Sequence, residues 1–371
     1  MNLSYWEYKT WLSHIDFTIV GSGIVGLNCA IQLKKRFPKA NIIILEKGVL
    51  PQGASTKNAG FACFGSISEI VSDLKAHSEQ EVLDLVQKRW DGIQLLRKNL
   101  GDAQIDYQNY GGHEVFLDSR NDLYQDCLGR IDTVNEMLEP VFQQNAFQLH
   151  PNTYNFKQIQ HNYITNTLEG QIDTGKMMKA LLHLAFKNGI TVLNAVHVED
   201  FTANTDHILV KTSQFEFKTN KLLIATNGFA PDLINEDIRP ARAQVLITKP
   251  IKNLHIKGTF HLDEGYYYFR NLDDRVLFGG GRNLDFKGEE TTRLGETPLI
   301  QNTLETILKD VVLPRTPFEV DLRWSGIMGM GHQKRPIIKQ VSNHIYCGIR
   351  LGGMGIAIGS LVGKELAELI Q

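Results

Sequence analysis

The chain has 371 residues, 42% of them hydrophobic and 22% charged, and a formal net charge of -2. That length can bury a large core and, at about 100–200 residues per domain, divide it between two domains. The near balance of charge excludes a strong field drawing nucleic acid or an anionic membrane surface to the chain, and no apolar run reaches the roughly 20 residues a membrane-crossing helix needs.

From the N-terminus, Phe17 to Val20 reads as a buried strand and Ile24 to Arg36 as a helix with Ile24, Leu27, Ala30 and Ile31 facing inward. Three glycines join them. Gly21 permits a tight turn, Gly23 lets the backbone approach a pyrophosphate, and Gly26 lets the helix lie close to the strand. The helix start at Ser22, Ile24 and Val25 offers amide donors and the positive end of a dipole. "NIIIL" then forms a second parallel strand ending at Glu46, 20 positions after Gly26, where a carboxylate accepts hydrogen bonds from the hydroxyls of an adenosine ribose. With Lys47 beside it, the unit is a complete dinucleotide site. NAD and FAD satisfy it equally.

The next segment separates the two. "GASTKNAGF", Gly53 to Phe61, is rich in small and hydroxyl residues where an NAD domain continues into its next helix. Ser55 and Thr56 can donate to phosphate oxygens, and Asn58, Ala59 and Gly60 leave room for a flat ring. Ala54, Lys57 and Phe61 complete the expected cofactor loop, with a solvated cation the alternative for Lys57. Amphipathic helices are expected over Glu79 to Leu100, with Val82, Val86, Trp90, Ile93 and Leu96 inward, and over Asn121 to Phe142. A helix from Asp173 to Asn188 stops at Gly189, and short strands follow up to "KLLIATNGFAPDL". From Ile238 to about Phe318, longer strands with interleaved aromatics indicate a second, mostly antiparallel sheet. "FGGGRN", Phe278 to Asn283, leads into charged residues without a helix and reads as a turn, not a second nucleotide site. The tail is a strand, a glycine turn and a final helix. The four cysteines, Cys29, Cys63, Cys127 and Cys347, have no paired spacing, so neither disulfides nor a metal site is expected; with no secretory signal visible, the expected location is cytoplasmic.

Taken together, Gly21, Gly23, Gly26, Glu46, "GASTKNAGF", "VHVEDF", "ATNGFAPDL", "YFRNLDDRVLFGGG" and "GIRLGGMGIAIG" resemble the D-amino-acid oxidase superfamily of FAD-dependent oxidoreductases. The similar branch holds glycine oxidase, sarcosine oxidase and gamma-glutamylputrescine oxidase. The resemblance leaves out only the first fourteen residues. It implies an α/β fold in which a Rossmann-like FAD-binding domain (1–75, 150–235 and 320–371) interleaves with an α+β substrate domain (76–149 and 236–319). It further implies that Val198 contacts adenine, that Ala225, Thr226, Asn227 and Gly228 pass near the dinucleotide, and that Gly352, Gly353, Met354, Gly355 and Ile356 pack against the flavin ring. Asn58 stands where some members attach flavin through His, and "WSGIMGMGH" holds no Cys, so the FAD is expected to be noncovalent. Leu277 stands where sarcosine oxidase has its oxygen-activating lysine, which implies slow reaction with oxygen.

Without a nicotinamide domain, the expected reductant is an organic substrate: an amine or amino acid oxidised at its C–N bond, with oxygen or another acceptor downstream. An arginine fork clamps a carboxylate well, which makes Arg350, Arg270 and Arg323 candidates. Tyr268 is a candidate wall or hydroxyl, and His332 a candidate base. Oxidation of a 2-hydroxy acid, using His332, and a flavin-binding role without turnover are the alternatives.

Overall fold

The computed structural model describes residues 3–371. Ile15–Val20 runs parallel to Ile42–Leu45 on one side and to Glu216–Ile224 on the other, and the parallel sheet extends to Thr191–Leu193 and Ile345–Ile349. Antiparallel additions, Ile337–Ser342 at one edge and Val198–Ala203 with Ile208–Thr212 along Glu216–Ile224, complete an eight-stranded sheet. Every residue of Ile42–Leu45 is buried. Such continuous apolar strands require cover on both faces. One face meets the helices Ile24–Arg36, Thr174–Lys187 and Gly355–Glu368, which share a core with Ile19, Ile42, Ile44 and Leu223. The opposite face buries Val20, Leu45, Val198, Val210 and Leu222.

The second sheet also has eight strands, in the order Val320–Met330, Arg239–Thr248, Arg275–Gly280, Tyr267–Leu272, Thr259–Leu262, Gly112–Val115, Asn162–Asn166 and Phe147–Pro151. Its pairs are antiparallel except Thr259–Leu262 with Gly112–Val115. Phe260 and Phe269 stack across neighbouring strands with centroids 4.6 Å apart, and Phe278 closes the same core.

Three expectations need correction. Asn162–Asn166 and Val320–Met330 belong to the second sheet, whereas boundaries at 150 and 320 assign them to the nucleotide half. Sequence texture marks where strands begin, but their hydrogen-bond partners decide which sheet they join. Helix Glu79–Leu100 packs along the final helix of the nucleotide half, although it falls within the expected substrate segment 76–149. The helix expected over 121–142 is two, Asn121–Leu128 and Ile131–Phe142, broken where Gly129 closes the first. At "FGGG", Gly280 and Gly281 have φ of 123° and 79°, and the chain passes into a short 3-10 turn, Arg282–Leu284, as the sequence indicates.

Candidate active site

The C-terminal ends of the parallel strands, the loop 53–61 and one face of the second sheet enclose a cavity of about 630 Å³, within the roughly 300–1,000 Å³ of small-molecule sites. Val20, Leu45 and Ala225 mark the strand ends, and Tyr268, Gly280 and Ile327 mark the second sheet. A crevice outside the carboxyl ends of parallel strands is where open α/β sheets bind nucleotides.

At that end Gly21 has φ of 102°, left-handed backbone that glycine adopts without strain, and a Cβ on Gly26 would drive into the Gly21 carbonyl oxygen. The first helix therefore lies directly against the turn. Its Ile24 amide donates to Ser55 Oγ at 2.9 Å, so the early loop is tied to the helix N-terminus. Glu46 is buried, accepting from the Ser22 amide at 3.1 Å and hydroxyl at 2.7 Å and from the Gly48 amide at 2.9 Å. Lys47 lies 3.4 Å from the Phe229 ring centroid, and burial lowers its pKa. The walls here also include Gly23, Val25, Val198, Thr226 and Asn227.

Farther in, Ala54, Ser55, Lys57, Asn58, Ala59, Gly60 and Phe61 line the cavity. Asn58 shapes this loop: its amide donates to the carbonyls of Ala54 and Ser55, and its oxygen accepts from the Gly60 amide and the Thr174 hydroxyl. Opposite stand Gly352, Gly353, Met354, Gly355 and Ile356. A Cβ built on Gly352, Gly353 or Gly355 meets no atom within 4 Å, so the backbone faces open space wide enough to take a flat ring. Gly355 also opens the helix Gly355–Glu368, whose N-terminal amides point a partial positive charge at that space. The donor set and the cradle both fit FAD.

Four expected contacts do not line the cavity. Ser22 is turned to Glu46, Gly26 packs on Gly21, the Thr56 hydroxyl bonds the Pro51 and Gly53 carbonyls, and Gly228 lies against Met328.

The arginines expected to clamp a substrate are otherwise engaged. Arg350 reaches the cavity wall, but its Nη1 donates to Asp237 Oδ2 at 2.7 Å and to the Asp237 carbonyl, and its Nε to the Arg335 carbonyl. The fork is spent on protein. Arg270 is buried and binds the carbonyls of Gly60, Ile172 and Asn271, fastening the early loop to the second sheet; burial pulls its pKa down to about 10. Arg323 bonds Gln301 and Glu305 at the surface. His332 is exposed and pairs with Asp237 at 2.7 Å, away from the ring cradle. Tyr268 does line the cavity, edge-on to Phe61 at 5.7 Å, and burial pushes its hydroxyl up to about 12, so it remains protonated. Leu277 is core, packed with Val245 and Ile247.

The cavity instead gathers residues that sequence reasoning missed: Glu69, Arg89, His261, Glu264 and Arg282. Arg89 is 4% exposed, donates one bond to the Phe64 carbonyl at 2.8 Å, leaves Nε without a partner and makes no ion pair with any described carboxylate. A signal existed. Arg89 falls on the Val86–Ile93 face of its helix, a charge on an apolar stripe. His261 is buried with Nε2 unpartnered, and desolvation lowers its pKa, so it stays neutral. Glu169, 4.0 Å from that nitrogen, accepts the Phe64 and Gly65 amides, and burial pushes its pKa up to about 8.

Among the described residues no helix is long and apolar enough to cross a membrane, no group of acidic, His and Cys side chains is arranged for a metal, and all four cysteines are free and buried.

A dinucleotide cradle joined to an enclosed ring site defines a flavin-dependent redox enzyme. Residues 16–369 match the family model described as FAD dependent oxidoreductase, and the chain belongs to that family. It is similar to the probable oxidoreductase OrdL of Haemophilus influenzae, 23% identical over 97% of this chain and 84% of the other. It is also similar to gamma-glutamylputrescine oxidoreductase of Escherichia coli, 22% identical over 96% of this chain and 83% of the other. Among solved structures, glycine oxidase from Geobacillus kaustophilus superposes with a TM-score of 0.76 at 18% identity, covering 96% of this chain and 95% of that one. The chain is an FAD-dependent oxidoreductase.

Proposed function

We propose that the chain oxidises the C–N bond of an amine or amino acid to an imine, which water then hydrolyses. The observation that carries this reading is the presence of opposite charges on the wall of one cavity. Arg89 is a buried cation with no ion pair among the described residues, and its one electrostatic carboxyl neighbour, Glu169, is itself buried. Glu69 presents a carboxylate on the same cavity with the aromatic rings of Phe61 and Tyr268, whereas Glu264, also on the wall, is held by Arg120 at 2.8 Å. A guanidinium suits a carboxylate, and carboxylates with ring faces suit an ammonium. A zwitterion therefore matches this wall. A buried charge without a partner is costly, so a substrate carboxylate at Arg89 gains binding energy that a neutral group does not.

When bound, FAD supplies the acceptor for the hydride leaving the substrate carbon. The chain's own task is position. Asn58 and Arg270 hold the early loop, the Gly353 and Gly355 backbone leaves one face open, and Tyr268 and His261 wall the other side while remaining neutral. Glu46 and the Gly21–Gly26 turn hold the adenosine and pyrophosphate end, and the Val198 and Ala225–Asn227 backbone flanks it. His332, tied to Asp237 at the surface, is poorly placed to serve as the base that a hydroxy-acid reaction needs. The free thiols support a cytoplasmic location, and oxygen or a second acceptor reoxidises the cofactor. Anaerobic addition of N-methyl amino acids, D-amino acids, polyamine conjugates and 2-hydroxy acids to the FAD-loaded protein tests the reading. Loss of the visible flavin band with amines alone supports it, and loss with hydroxy acids alone overturns it.

A further inference from the structure

A second cavity of about 260 Å³ adjoins the first, and Arg282, Met330 and Gly331 line both. Arg239 opens the strand at one side of it, Phe286 and Glu290 follow the 3-10 turn at another, and His332 closes a third. Its charges are unbalanced. The Arg282 guanidinium makes no hydrogen bond or ion pair among the described residues; its Cζ lies 4.8 Å from the Phe286 ring centroid, and Glu289 and Glu290 act on it only electrostatically. Arg239 approaches Glu290 only at 3.9 Å, with both side chains about half exposed. His332 is matched by Asp237. Glu289, which also acts on Arg282, is held by Arg242. Two guanidiniums thus line the chamber with one carboxylate, Glu290, and the less exposed guanidinium stands on the wall shared with the ring cavity.

We propose that this side chamber is a tail subsite, in which Arg282, aided by Arg239, selects amine substrates carrying a distal carboxylate. The proposal rests on the C–N oxidation reading above and adds to it a chemical class: amines or N-substituted amino acids with an anionic group beyond the reacting carbon. A planar guanidinium with all its donors free matches a carboxylate in two bonds, whereas a distal amide offers only one acceptor and no charge. Tail charge, not tail length alone, then decides the substrate. Arg282 stands at the junction, so the tail meets it as it leaves the ring cavity.

The test compares N-methylglutamate with N-methylglutamine, which differ only in that distal group. The ratio of their anaerobic flavin-reduction efficiencies is measured in wild type, R282M and R282K, with FAD content and thermal midpoint confirming that each variant is folded. The expected wild-type ratio favours the acid at least tenfold; R282M lowers that ratio at least tenfold, and R282K restores part of it. A wild-type ratio near one, or a ratio that R282M leaves unchanged, overturns the proposal. Failure of the underlying reading looks different, because neither compound then reduces the flavin. In that event glutarate, which cannot be oxidised at a C–N bond, is titrated against the bound flavin's visible spectrum. A shift with glutarate that R282M weakens tenfold supports the subsite, and no shift overturns it.

Discussion

The open backbone at the final glycine turn makes a prediction in which folding and cofactor binding separate. A Cβ on Gly353 or Gly355 meets nothing within 4 Å, and neither residue has a left-handed φ, so alanine fits both positions in the cofactor-free chain. Removing glycine freedom from the unfolded state then stabilises that chain by about 0.4–1 kcal/mol. The same methyl occupies the space assigned to the ring. Overpacking costs about 1–3 kcal/mol, so the FAD dissociation constant rises roughly 5- to 150-fold at about 1.4 kcal/mol per tenfold. Thermal unfolding of the apoprotein and a flavin-fluorescence titration of Gly353→Ala and Gly355→Ala read the two effects. An apoprotein as stable as wild type that binds FAD as tightly as wild type in both variants refutes the placement of the ring. A collapsed apoprotein refutes the open cradle.

Four further outcomes follow from particular residues. Arg89→Met keeps FAD but lowers the reduction efficiency with a carboxylate-bearing amine at least roughly tenfold, the scale of one charged hydrogen bond of about 1.5–3 kcal/mol; stopped-flow reduction at wild-type efficiency contradicts it. Arg350→Met lowers stability by about 1–3 kcal/mol, because bonds to Asp237 and Arg335 go with it, yet it changes reduction efficiency less than Arg89→Met does; the reverse order in the same assay returns Arg350 to the substrate. Burial raises the Glu169 carboxyl from 4.5 to about 8, so its contribution to stability is whole below pH 4.5 and is lost as pH rises to about 8; Glu169→Gln, which retains an oxygen for the Phe64 and Gly65 amides, flattens that decline in a profile of thermal midpoint against pH, and an unchanged profile contradicts the assignment. Acid denaturation releases FAD into the supernatant, and colour left on the precipitated chain shows a covalent bond instead.

The nucleotide end was legible because its signals are local. Gly21, Gly23 and Gly26 lie within one turn, and Glu46 lies at the end of the next strand, so spacing alone brings them together. The open turn at Gly352 to Gly355 was legible for a related reason: a run of missing side chains is itself visible. The substrate end was not. Arg350 stands near the flavin turn as expected, but its partner Asp237 comes from a segment over a hundred positions earlier, and only the folded chain shows that its fork is occupied. Arg270 reads as a free cation until three carbonyls from separate segments converge on it. Arg89 was hidden in the middle of an amphipathic helix, where the apolar positions drew attention and the one charge on their face did not. Likewise the sheet membership of Val320–Met330 depends on its partner Arg239–Thr248, and the Pro-rich approach to it carries no such information.

The central claim is that this chain, with FAD bound, takes a hydride from carbon beside nitrogen, and a single anaerobic turnover tests it most directly. FAD-loaded protein is mixed without oxygen with an excess of the amine that bleaches it fastest, and the carbonyl product is counted against the flavin reduced. The account predicts one carbonyl and one released amine or ammonia for each FAD reduced. Bleaching without a stoichiometric carbonyl, or no bleaching by any amine while a 2-hydroxy acid reduces the flavin, contradicts it.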